Sequence, residues 1–168
     1  MRPYMDYKKA QTYWDEKDKN NVVMPKDKLL TWFDSFLKAH NTLSLATFKE
    51  DYVDNTPLEY NYLNGKIYIL TEGGHKFIGL EKNKNVAASI FDSYKGFGAI
   101  QSAQIYANCE IVEQFSDEYY QVTDYKKMPR DVLSKFNLYL LRIDPTKINI
   151  LSSDFKKDGY SNRQEIVF

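Results

Sequence analysis

The sequence predicts an α+β domain in which an antiparallel sheet closes into a barrel. Three observations carry this. Apolar and polar residues begin to alternate at residue 43, and the pattern recurs in several short blocks. Asn64-Gly65 sits between two of those blocks, and Asn-Gly supplies the positive φ angles of a type I′ hairpin. Strand and helix blocks do not alternate regularly, which argues against a doubly wound parallel sheet.

With 168 residues the chain fits one domain, 1–168. Its expected parts are an N-terminal helical segment (1–41), the barrel with inserted helices (42–152) and a C-terminal tail (153–168). Apolar residues make up 43% and aromatics 15%, enough for a core that needs no disulfide or metal.

Residues 5–18 read as a helix lying on the surface of another element, with a break at Asn20-Asn21 and Pro25. Residues 26–39 form the clearest helix, because Leu29, Phe33, Phe36 and Leu37 share one face and Pro25 suits its start. Strands follow at 43–48, 56–62 and 66–71. Pro57 removes a ladder donor, so the second strand belongs at an edge or carries a bulge. Gly73-Gly74 ends the third strand, and a short helix spans about 75–82. A fourth strand covers 86–91, Gly96 and Gly98 flank Phe97 in a loop, and a long fifth strand covers 99–113. Residues 116–136 are helical with a break at Pro129, and 137–143 form a sixth strand. Asp144-Pro145 turns the chain, 147–151 extends it, and the last 15 residues read as irregular.

Charge and motifs exclude several functions. Lys plus Arg and Asp plus Glu are 23 each, so no net field attracts nucleic acid or an anionic membrane. No apolar run is long enough to span a bilayer. The start, Met1-Arg2-Pro3-Tyr4-Met5-Asp6-Tyr7-Lys8-Lys9, has no apolar core, so no secretory signal is expected. One cysteine, Cys109, fits a reducing compartment, and a cytoplasmic protein is expected. Two histidines and one thiol, without CxxC or HExxH, make a poor metal set, so no metal is expected. No nucleophile elbow and no Walker or GxGxxG loop is present.

One constellation points to chemistry. Leu70-Thr71-Glu72-Gly73-Gly74-His75-Lys76 joins a strand to a short helix. The glycines let the backbone turn and expose its amides, Thr71 offers a hydroxyl and Lys76 a charge. Together with the helix start they suit a phosphate monoester. The same residues also make an ordinary strand-to-helix turn with a solvated lysine. The edge strand around Pro57 has free backbone groups that can read a flavin edge, or it is simply an edge. Glu59, next to Leu58 and Tyr60, faces solvent or a partner chain. Tyr94 and Phe97 either cover a flat ring or pack on the barrel.

Residues 43–113 resemble the pyridoxamine 5′-phosphate oxidase-like family of FMN-binding split barrels. The resembling pieces are Leu45-Ala46-Thr47, Thr56-Pro57-Leu58-Glu59-Tyr60, Ile67-Tyr68-Ile69-Leu70-Thr71, Gly74-His75-Lys76-Phe77, Leu80-Glu81-Lys82-Asn83 before Val86, and Gln104-Ile105-Tyr106-Ala107-Asn108-Cys109-Glu110-Ile111. The likeness extends to Leu140-Leu141-Arg142-Ile143-Asp144-Pro145 and to the tail from Phe155 to Tyr160 with Arg163-Gln164.

The resemblance implies a six-stranded antiparallel split β-barrel with flanking helices. It also implies a homodimer with FMN at the subunit interface. It assigns the flavin phosphate to the third strand and following turn, here Leu70, Thr71, His75 and Lys76. The ring falls to Pro57, Leu58, Glu59 and Tyr60, with Gln101, Ser102 and Gln104 from the fifth strand. Relatives often carry an arginine where this chain has Asp54 and Asn55, and an acid there opposes a phosphate. The arginine- and tryptophan-rich tail of true pyridoxamine phosphate oxidases is absent, so a vitamin B6 oxidase is not expected.

The function implied is an FMN-dependent oxidoreductase acting on a small-molecule substrate or electron donor, with no protein acid or base assigned. A non-catalytic flavin or ligand carrier and a cofactor-free dimeric module on the same fold remain alternatives.

Overall fold

The computed structural model describes residues 5–168; the first four residues of the expected N-terminal segment lie outside it. Two short helices open it, α1 (Tyr7–Gln11) and α2 (Tyr13–Asp18), where one helix was expected. They are followed by α3 (Lys26–Ala39), whose apolar face is buried as the spacing requires. The barrel strands are β1 (Thr42–Lys49), β2 (Tyr52–Glu59), β3 (Asn61–Leu63) and β4 (Lys66–Thr71). Helix α4 (Lys76–Leu80) leads to β5 (Asn85–Phe91) and β6 (Gln101–Val112). Helices α5 (Asp117–Tyr125) and α6 (Arg130–Leu133) precede β7 (Tyr139–Ser152) and β8 (Arg163–Val167).

All pairings are antiparallel, in the order β2-β1-β5-β6-β7-β4-β3, with β8 on β7. The sheet therefore has eight strands rather than six. Two of the expected strands are drawn differently. The expected strand 56–62 is the end of β2 plus β3, separated at Tyr60, whose amide donates to the Asn41 carbonyl at 2.8 Å. β2 begins earlier because a two-residue turn at Glu50-Asp51 closes it onto β1, with Glu50 at φ 53°. Pro57 sits on this edge strand, where its missing N–H costs no ladder bond.

The expected turn at Asp144-Pro145 is a bulge inside one long strand. Tyr106 faces Lys147 while Ala107 faces Pro145, so the β6–β7 register absorbs one extra residue. Residues 67–71 of β4 pair with the first part of β7, and β8 pairs with the last part. The expected irregular tail thus contains a strand, preceded by a 3₁₀ turn over Ser153–Asp158.

Alternation sorts the side chains. Leu43 and Leu45 of β1, Val86, Ala88 and Ile90 of β5, Ala103, Ile105, Ala107 and Cys109 of β6, and Ile148 and Ile150 of β7 face inward and form one core, which α3 closes with Leu29, Phe33, Phe36 and Leu37. A second, smaller core gathers Tyr68, Val112 and Leu140 under Tyr119 and Val122 of α5. β4 contributes to both, Ile67 and Ile69 to the first and Tyr68 to the second.

The sequence leaves the place of the N-terminal helices open. In the structure α2 lies against β8, where Asp18 pairs with Arg163 at 3.1 Å and the Arg163 guanidinium stacks 4.4 Å from the Trp14 ring. A polar cavity of about 430 Å³ remains between α2 and the outer side of β7–β8.

Helix α4 sits directly on β1 through Gly79. A Cβ there would stand 2.9 Å from the Phe48 amide nitrogen and 2.9 Å from the Thr47 Cβ. Gly79→Ala is expected to lower the unfolding free energy by about 1–3 kcal/mol, because backbone cannot yield as a flexible side chain can. Denaturant unfolding of the two proteins checks this; an unchanged midpoint would show that α4 lifts off β1 without cost.

Candidate functional site

β4 ends at Thr71, and the chain turns through Glu72-Gly73-Gly74-His75 into α4. Gly73 and Gly74 have φ of 140° and 108°, values that L side chains rarely adopt. The Gly73 amide donates to Thr71 Oγ1 at 3.3 Å, which locks the strand end to the turn. A Cβ on Gly74 would lie 3.2 Å from Lys76 Nζ, so glycine also makes room for the ammonium.

Lys76 is turned inward. It is 4% exposed and is the one charged side chain that is buried among the described residues. Its Nζ donates to the Gly73 carbonyl, which leaves two of its three donors free for other partners. No carboxylate lies within 4 Å of it among the described residues. Burial pulls this ammonium below the ordinary lysine value, and the charge of Asp54 pushes partly back. The Phe77 ring lies 5.7 Å from Nζ and packs against Tyr139 at 5.1 Å.

The structure brings Thr71 and Lys76 together, with His75 exposed beside them. The five-residue α4 adds little through its own terminus, because the Phe77 and Ile78 amides already donate to Gly74 and His75 carbonyls at 3.2 and 2.9 Å. Leu70 points to the second core, away from Thr71.

The residues expected at the ring are divided between faces. In β2, Tyr52, Asp54, Thr56 and Leu58 are half-buried on the inner side, and Val53, Asn55, Pro57 and Glu59 are exposed on the outer side. Glu59 pairs with Lys126, at the C-terminal end of α5, at 2.7 Å. Tyr60 is buried and its hydroxyl donates to the Leu37 carbonyl at 2.7 Å, tying β2 to the end of α3. Burial, with Tyr62 adding to it, pushes the Tyr60 phenol well above its ordinary value.

In β6, Gln101 donates to Asp154 at 2.7 Å, while Ser102 and Gln104 face outward. Gln104 falls in a row that crosses the sheet: Pro57, Ser44, Ser89, Gln104, Asn149 and Glu165 stand side by side in register. Asp54, where the sequence places an acid that opposes a phosphate, and Thr56, which the sequence leaves without a role, both lie on the inner side of β2, and the start of β2 at Tyr52 sets their parity.

Two other reactive side chains are already engaged or buried. His40 holds the Phe36 carbonyl and Asp92 at 2.8 and 2.7 Å. Cys109 is fully buried and its thiol is pushed up to about 12 by desolvation. No group of three metal-ligating side chains occurs among the described residues, and no helix there is long and apolar enough to cross a membrane.

No family model and no curated protein matches this sequence. Solved structures do match in shape. A protein from Listeria innocua, provisionally assigned as a pyridoxamine 5′-phosphate oxidase, superposes with a TM-score of 0.57 at 16% identity, covering 73% of this chain and 98% of its own. The chain has the split-barrel fold of the pyridoxamine 5′-phosphate oxidase-like proteins. HutZ, the heme storage protein of Vibrio cholerae, shares it with a TM-score of 0.58 at 20% identity, over 68% of this chain and 88% of its own. The FAD-binding protein of Mycobacterium smegmatis gives 0.54 at 16% identity, over 70% and 91%.

A buried, unpaired ammonium weakens the fold that holds it. Lys76→Met is expected to stabilise the ligand-free protein by about 1 kcal/mol at neutral pH. A lowered folded-state value means that the native lysine's contribution is fully present above 10.5 and is lost as pH falls through the folded value. The gap between variant and native protein should therefore narrow as pH rises toward 10.5. Thermal unfolding at pH 7 and pH 10 checks this, and a destabilised variant with a pH-independent gap would contradict it.

Proposed function

We propose that this chain binds FMN and works as an FMN-dependent oxidoreductase on a small-molecule substrate or electron donor. The observation that carries the reading is Lys76: a cation 96% removed from solvent, with no anionic partner in contact, on a turn whose glycines keep the space beside it open. An isolated buried charge is costly, and a phosphate that arrives with a ligand relieves it. Thr71 and Lys76 would hold the phosphate, and exposed His75 lies at the mouth of the turn.

The flavin, when bound, supplies hydride and electron transfer. The chain supplies position, with Thr71 and Lys76 fixed by β4 and α4. The FAD-binding neighbour supports a flavin on this fold, and a heme storage protein shares the same fold.

The reading includes a homodimer. The outer sheet face presents small side chains (Ser44, Ala46, Ala87, Ser89) flanked by exposed Phe48, Val53 and Phe91. A second copy on this face would cover those apolar groups and set Pro57, Ser102 and Gln104 at the interface. A buried lone thiol suits work in the cytoplasm.

The test is the visible spectrum of the purified protein and titration with FMN and with hemin. Uptake of about one FMN per chain is expected, and Lys76→Ala should weaken it at least tenfold through loss of a charge-assisted contact. Uptake of hemin alone, or FMN binding untouched by Lys76→Ala, would overturn the reading.

A further inference from the structure

Asp54 reaches the same cradle from another strand. It stands opposite Thr47 in the β1–β2 register, on the inner face of β2. Thr47 lies directly beneath Gly79, and Gly79 and Lys76 share one side of α4, three residues apart. The Asp54 carboxylate accepts from Thr56 Oγ1 at 2.7 Å and contacts no cation within 4 Å among the described residues. Its charge nevertheless acts on Lys76.

No arginine among the described residues balances it. Arg130 pairs with Asp124, Arg142 with Glu118 and Asp144, and Arg163 with Asp18. The cradle therefore combines one buried cation with one inward-facing carboxylate, while Glu72 of the turn is exposed.

We propose that Asp54 is a charge selector: it penalises the second negative charge of a phosphate monoester, so the cradle holds the FMN phosphate more tightly as its monoanion than as its dianion. The inference rests on the flavin reading for its ligand but on Asp54 and Lys76 for its chemistry. A phosphate monoester carries a charge between about −1.5 and −2 at pH 7. Lys76 neutralises one unit, and Asp54 faces what is left. Each phosphate of a flavin dinucleotide carries one charge only, and riboflavin carries none. The penalty therefore ranks FMN above FAD and FAD above riboflavin.

The experiment titrates the full chain and Asp54→Asn with riboflavin, FMN and FAD at pH 8, following flavin fluorescence. Asp54→Asn should tighten FMN about tenfold, tighten FAD less and leave riboflavin unchanged. An equal change for all three, or none, would overturn the proposal. Asn keeps an acceptor for Thr56, and Asp54→Ser repeats the comparison should Asp54→Asn unfold.

A chain that takes up no flavin in either form would sink the flavin reading alone. The selector is then decided by thermal shift with inorganic phosphate against dimethyl phosphate. Inorganic phosphate stabilising Asp54→Asn more than the native chain sustains it, and equal responses overturn it.

Discussion

The β6–β7 ladder is the constraint on which the rest of the structure depends. β6 runs twelve residues and β7 fourteen, and they pair along almost their whole length. One edge of β7 is thereby occupied. Its other edge is shared, with β4 on the first part and β8 on the last. A strand this long must bend to follow a barrel wall, and the extra residue opposite Tyr106 and Ala107 supplies the bend. Pro145 is tolerated there because a bulge leaves a residue outside the ladder. Through this strand the two cores, the cradle-bearing β4 and the C-terminal β8 are held in one piece.

The cradle follows from that arrangement. β4 is buried on both faces, so the turn after Thr71 leaves from a fixed point. Gly79 lets α4 touch the β1 backbone, and three residues earlier the same helix face places Lys76 where water is excluded. A lysine in such a place is a liability for folding and an asset for binding an anion, because its charge acts through a poorly screened medium.

Much of this was legible in the sequence for identifiable reasons. The apolar face of α3, the alternation in β1 and β6, and Asn64-Gly65 each depend on local rules that the fold did not override. The Thr71–Lys76 turn was legible because two adjacent glycines signal positive φ, which both adopt. The β1–β2 turn was not, since Glu50 takes a left-handed conformation without glycine or asparagine beside it. That hidden turn concealed the parity of β2, and with it the inward placement of Asp54 and the division of Leu58 from Pro57 and Glu59. Tyr60 lay beyond local reasoning too, because its partner is a carbonyl of α3 reached only in the folded chain. Pro145 and the short β8 failed as strand signals because pairing with β6 and β7, rather than composition, makes them strands.

The pairing of β4 with β7 also sets an order of assembly. Thr71 lies opposite Tyr139, so the strand that carries the cradle finds its neighbour almost seventy residues downstream. Closing so long a loop is slow compared with forming a hairpin. β1 and β2 are joined by a two-residue turn and pair locally, whereas β4 has one edge covered over three residues by β3 and the other bare until β7 has been made. The phosphate cradle is thus a late product of folding, and a chain interrupted before β7 would hold Lys76 on an unmoored strand.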